Sequence, residues 1–152
     1  MSKKNLRNMI GYGAKGKEIS WPNNAKLALQ LVLNYEEGGE NCVLNGDKYS
    51  ETFLSEIIEA KAIKGRNISM ESIYEYGSRA GFWRLDKLFR EKKIPITIFG
   101  VGLAFKQNPE ICEAIKKGNY EVAAHGYRWI DYQDIKKSVE KKHMQEAIKT
   151  IK

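Results

Sequence analysis

The chain is short of cysteine and histidine and has no long apolar run, and each shortage removes a class of protein. Its two cysteines, Cys42 and Cys112, lie far apart, with no Cys-x-x-Cys spacing and no companion His/Cys pair. Neither a disulfide framework nor a structural metal centre is therefore written into the sequence, and both thiols are expected to be free. No stretch is long and apolar enough for a membrane span. The start, Met1-Ser2-Lys3-Lys4-Asn5-Leu6-Arg7, has no apolar segment behind its charges, so no secretory signal is read and the cytoplasm is the expected location. Acidic residues are outnumbered, 19 Asp and Glu against 26 Lys and Arg, for a formal net charge of +7. A clustered excess of that kind would release counterions from a phosphate backbone. Here it is spread along the chain, and its densest group, Lys136, Lys137, Lys141 and Lys142, falls on the solvent side of a helix, so no nucleic-acid partner is expected. What remains, 42% hydrophobic and 30% charged residues, is the composition of a soluble domain with one core.

The order of elements predicts an α/β fold. Leu27, Leu29, Leu31, Leu33 and Tyr35 alternate with Ala28, Gln30, Val32 and Asn34, a two-residue period that reads as a first strand ending at Glu36-Glu37-Gly38-Gly39-Glu40. Phe53, Ile57 and Ile58 suggest a short helix. After a polar stretch from Lys64 to Ser69, a longer helix carries Phe82, Leu85, Leu88 and Phe89 on one face. The β-branched run from Pro95 to Val101 suits a buried parallel strand. Asn108 as cap, Pro109 at the first helical position and Gly118 past the end bracket another helix. Tyr120 to Ala124 forms a third strand running into His125-Gly126. A last helix shows Ile135, Val139, Met144, Ala147, Ile148 and Ile151 as its apolar stripe. Strands separated by helices favour a parallel sheet with right-handed crossovers. Active sites in such folds lie beyond the carboxyl ends of the strands, so the loops bearing Glu36, Glu37 and His125 should converge.

Two neighbouring carboxylates at a strand end are costly, because like charges held close disfavour joint ionisation. They read either as a solvated acidic turn or as a general base with a metal ligand or orienting group. His125, between an apolar strand and a glycine, is either a hydrogen-bonded core residue or a catalytic imidazole. His143 is read as a surface residue. Gly11-Tyr12-Gly13-Ala14-Lys15-Gly16 has the dinucleotide-binding spacing, but no strand precedes it and Trp21-Pro22 soon follows, so residues 1–24 are read as an N-terminal arm and not as a nucleotide site.

Asn34-Tyr35-Glu36-Glu37-Gly38-Gly39-Glu40-Asn41 resembles the first motif of the allantoinase-like branch of the polysaccharide deacetylase (NodB-homology) superfamily. The segment from Met70 to Arg84 and the lead-in Arg7-Asn8-Met9-Ile10-Gly11-Tyr12-Gly13 are similar to that branch as well. The resemblance implies a partial (β/α) barrel, with residues 25–152 forming its N-terminal part and the chain stopping after about three β-α units. It implies hydrolysis of a carbon–nitrogen bond outside peptides, with Glu36, Glu37 and His125 as catalytic residues and Trp129 and Glu71 as substrate-binding ones. In deacetylases that this branch resembles, the first residue of the acidic pair is the base and the second binds metal, and two His four residues apart supply further ligands. Here His125 holds the first His place, but Trp129 holds the second, and an indole nitrogen has no lone pair to donate. Only Glu37 and His125 would remain for a metal such as zinc, which normally takes three protein ligands in a catalytic site, so no cofactor is expected.

The late motifs of the family, which supply an Arg, an acidic residue and a second catalytic His, are absent. A closed eight-stranded barrel takes about 250 residues. The sequence therefore reads first as an allantoinase-like domain acting on a cyclic ureide and inactive alone. A second reading is a non-catalytic remnant or one half of a split protein, and a third is deacetylation of an N-acetylated sugar. An open third strand calls for a second polypeptide or self-association to cover it.

Overall fold

The structure is a computed structural model that describes residues 7–152. The stretch Met1–Leu6, which carries most of the reading for a leader and the start of the proposed arm, lies outside the described residues. The chain runs β1 (Val32–Tyr35), α1 (Ile68–Tyr76), α2 (Phe82–Lys92), β2 (Thr97–Gly100), α3 (Gly102–Gln107), α4 (Pro109–Gly118), β3 (Glu121–Ala124) and α5 (Lys137–Ile151). The strands form one parallel sheet in the order β1-β2-β3, the α/β architecture expected of a partial barrel. Tyr35 is level with Gly100, and Gly100 with Ala124. The next residue of each strand, Glu36, Val101 and His125, therefore emerges at the same end of the sheet. This register is what brings the first and third loops together.

One face of the sheet is packed with helices. Leu33, Tyr35, Ile98 and Val122 meet Phe82, Phe105, Ile111 and Ile115 in a single core, and Ile98 and Ile111 are wholly buried. Tyr35 stacks on Phe105 with ring centroids 5.7 Å apart and meets Phe82 edge-on at the same separation. Aromatic pairs of this kind contribute about 0.5–1.5 kcal/mol beyond their buried area. Gly100 makes the stacking possible, since a Cβ there would come within 2.0 Å of the Phe105 ring. The other face carries Val32, Asn34, Thr97, Phe99 and Glu121, one residue out of step along each strand. Val32 stays 43% exposed, and Thr97 links Gln30, whose amide donates to its Oγ1, to Glu121, whose carboxylate accepts from it. That face lacks a covering layer among the described residues.

Helix boundaries follow local chemistry. Asn67 and Asn108 cap α1 and α4 by accepting from the N–H of Met70 and Ile111, which offsets the orphan donors of a first turn. Between α1 and α2 the chain widens into a π turn, Gly77–Gly81. The turn lets the hydroxyl of Ser78 reach Tyr35 Oη (3.0 Å) and the Asn108 side-chain amide (3.0 Å), so one serine ties β1 to the α3–α4 junction.

The structure corrects several expectations. The region of Phe53, Ile57 and Ile58 is not helical but a chain of turns with all three side chains exposed, because it has no partner on which an apolar face could be buried. The first strand begins at Val32, leaving Leu27 and Leu29 exposed. A short helix, α3, which the sequence reading did not place, follows β2, and Gly102 lets it approach α5, since a Cβ there would lie 3.2 Å from Ala147 Cα. Gly118 ends inside α4, and Asn119 is the left-handed cap. Ile135 precedes α5, and Met144 and Ile148 remain exposed. His143 is half-buried between Tyr127 and Tyr132, its Nδ1 2.8 Å from Tyr132 Oη.

Burial, helped by the charges of Arg128 and Lys142, lowers the His143 pKa from its ordinary 6.5. The unfolded chain thus binds a proton that the folded chain resists, so this residue's contribution to stability is present above pH 6.5 and is lost as the pH falls through the depressed value. Urea midpoints measured from pH 7.5 down to 5.5 should decline in the parent chain, and the part due to His143 should vanish in His143→Gln. Equal slopes in the two would refute this.

Candidate functional site

His125 Nε2 lies 2.9 Å from Glu36 Oε1, with the imidazole 37% and the carboxylate 17% exposed. Asn34 holds the same oxygen from below, its Nδ2 donating at 3.1 Å. The two partners come from the ends of the outer strands and meet across the end of β2, on the face that the helices leave open. Phe99 of β2 sits beneath, its ring 5.9 Å from the imidazole.

Glu37 points elsewhere. Its Oε2 accepts from the N–H of Glu36 at 2.9 Å. Its other oxygen lies so close to Gly77 that a Cβ at residue 77 would come within 2.2 Å of it. Burial pushes its pKa up, although backbone hydrogen bonds oppose the rise. Glu37 also lines a cleft of about 320 Å³ on the helix side, together with Glu40, Glu71, Tyr74, Ser78 and Asn108. The adjacent glutamates thus serve two different sides of the strand end. Glu71 is taken up in an ion pair with Arg66, Nε to Oε2 at 3.0 Å, which holds its carboxyl below the usual range. Trp129 is half-buried, its backbone N–H donates to the Gly39 carbonyl at 2.8 Å, and its ring meets Phe53 at 5.1 Å.

The loops are fastened to one another by a group that the sequence did not single out. Arg128, 9% exposed, donates to the carbonyls of Gly39 (3.1 Å) and Glu40 (3.0 Å) and pairs with Asp47. A buried guanidinium that hydrogen-bonds to Gly39, Glu40 and Asp47 of one loop acts as a bolt between the first and third strand ends. Backbone bonds add to it: Val101 N–H to Tyr35, His125 N–H to Gly100 and Gly102 N–H to Gly126. Glu40, 6% exposed, accepts from Gly38 N–H at 2.6 Å, and burial raises its pKa.

Among the described residues, no three His, Cys, Asp or Glu side chains gather as metal ligands would. The chemistry available to the pair is proton transfer: a carboxylate oriented by an amide and an imidazole, open to solvent on one side. No helix among the described residues is long and apolar enough to cross a membrane.

Residues 64–152 match the family model described as polysaccharide deacetylase, a span that includes His125 but not Glu36. A protein of Schizosaccharomyces pombe described as a polysaccharide deacetylase is 38% identical over 148 residues, 95% of this chain and 46% of that protein. The crystal structure of PuuE allantoinase superposes with a TM-score of 0.89 at 49% identity, over 98% of this chain and 50% of that one. A crystal structure from Pseudomonas aeruginosa PAO1, described as a polysaccharide deacetylase, gives a TM-score of 0.89 at 52% identity, covering 97% and 49%. The chain thus spans about half the length of these relatives. On the family match and the parallel sheet together, this chain belongs to the polysaccharide deacetylase family and forms an N-terminal half of its barrel.

Proposed function

We propose that the chain supplies the first half of a carbon–nitrogen hydrolase acting on a cyclic ureide, of which allantoin is the type. Residues 25–152 form the catalytic part and residues 1–24 an arm. The observation that carries this reading is the contact of His125 with Glu36 at the open end of the sheet. Glu36 accepts the proton of a water whose oxygen attacks the ureide carbonyl carbon. His125 binds the carbonyl oxygen as negative charge develops on it, and the ring C–N bond breaks as nitrogen takes up the proton. The similarity to a solved allantoinase supports this choice of substrate.

A divalent metal does not fit the donors present. Glu37 faces Gly77 and the backbone of Glu36, and Trp129 offers no lone pair. The reaction therefore runs without a cofactor in this reading, and a cytoplasmic setting goes with a soluble ureide substrate. The isolated chain is inactive because the open face leaves the pair without the opposite wall of the barrel. A second polypeptide or self-association provides that cover.

The test is turnover of allantoin by the chain alone and together with a polypeptide carrying the remaining barrel half, before and after dialysis against a chelator. Turnover only in the pair, unchanged by the chelator, is the expected result. Stoichiometric zinc retained through dialysis sinks the cofactor-free mechanism, and absence of turnover in both mixtures favours the non-catalytic remnant. Release of acetate from an N-acetylated sugar would favour the deacetylase reading suggested by the family's name.

A further inference from the structure

We propose that Phe53 is a specificity-determining residue, forming with Trp129 an aromatic wall beside Glu36 and His125 that takes the flat face of a ureide ring. The inference rests on the ureide reading and adds to it the surface that selects the ring.

The segment 50–63 is a loop with closed ends: Ser50 N–H donates to the Ile63 carbonyl at 2.9 Å, and Ile63 N–H to Ser50 Oγ at 3.2 Å. Inside it, the Glu51 carboxylate accepts from the N–H groups of Thr52 (2.8 Å) and Phe53 (2.9 Å) and from Asn41 Nδ2 (2.9 Å). These bonds fix the backbone of Phe53 while Leu54 beyond it turns through a positive φ of 69°, a conformation that a bulky residue adopts only under constraint. A constrained backbone of this kind often marks a functional position.

The ring so placed is 57% exposed, yet it rests on Trp129 at 5.1 Å, tilted by 49°. An aromatic ring left half in water but held in one place by its neighbours is suited to stacking. Trp129 itself is tied to Gly39, three residues beyond Glu36, and stands four residues beyond His125. The backbone of Trp129 thus joins the two strand ends that carry the acid–base pair, and the Phe99 ring lies under His125. A hydantoin-like ring has two apolar faces and all its N–H and C=O groups on the edge. It can lie against such a wall while its edge turns to Glu36 and His125, whereas a saccharide presents hydroxyls around its periphery.

The experiment follows the indole Nε1–H resonance of Trp129, assigned with Trp129→Phe, during titration of the chain with allantoin and, separately, N-acetylglucosamine. Allantoin should give a saturable shift, weakened about 3–10-fold in Phe53→Ala and restored in Phe53→Tyr, as expected for loss and return of one aromatic contact. N-acetylglucosamine should bind more weakly. No shift with allantoin, equal affinity in Phe53→Ala, or tighter binding of the sugar would overturn the proposal. Because binding is read without turnover, a Phe53-dependent shift with no hydrolysis in the completed barrel would count against Glu36 as base and leave the wall standing.

Discussion

Glu36→Gln should lower allantoin turnover by about 10²–10⁴-fold, the span associated with losing a general base, in the chain supplemented with the missing half of its barrel. The substitution keeps the shape of the site. A glutamine oxygen can still accept from Asn34 Nδ2 and face His125 Nε2, the two contacts that hold Glu36 in place, but it cannot take a proton from water. The thermal midpoint should therefore stay near that of the parent while the rate collapses. Glu37→Gln makes the internal comparison: its oxygen still accepts from the Glu36 N–H, and the loss of rate should be much smaller. Turnover by Glu36→Gln within a few-fold of the parent would remove Glu36 from the mechanism.

Arg128→Ala should cost about 3–5 kcal/mol of stability, the penalty for breaking a buried ion pair and stranding its partner. The guanidinium is 9% exposed, Asp47 pairs with it, and two loop carbonyls depend on the same group. Urea denaturation measures the loss. In Arg128→Ala/Asp47→Ala the combined cost should fall short of the sum of the single costs, because the stranded carboxylate is gone. A loss under about 1 kcal/mol for Arg128→Ala would put the pair in the class of exposed ion pairs and leave the loops held by backbone bonds alone.

The parallel sheet was legible because its signals are local: a β-branched run for β2, a short segment from Tyr120 to Ala124 between Gly118 and Gly126 for β3, and an asparagine cap followed by proline for α4. The alternation around Leu31 to Tyr35 placed β1 but overran it, since Leu27 and Leu29 continue the pattern without a neighbour to pair with. The helix expected at Phe53 failed for a related reason: apolar residues at helical spacing mean burial only where a surface waits for them, and here Phe53 found a single indole. Position at strand ends brought Glu36 and His125 under suspicion, but it could not say that Glu37, one residue on, turns the other way. That depends on Gly77, distant in sequence, having no side chain. Arg128 was invisible for the same reason. In a sequence rich in lysine and arginine nothing marks Arg128 as buried, and the carbonyls of Gly39 and Glu40, together with Asp47, reveal its task.

The widened turn at Gly77–Gly81 makes the spacing between α1 and α2 a fixed quantity. Each residue of a helix advances the direction of its side chains by about 100°, so removing one residue here to restore a regular spiral would swing Phe82 away from Tyr35 and pull Ser78 out of reach of the strand. A change in the length of that stretch has no local remedy: every residue beyond it would be turned to a new direction.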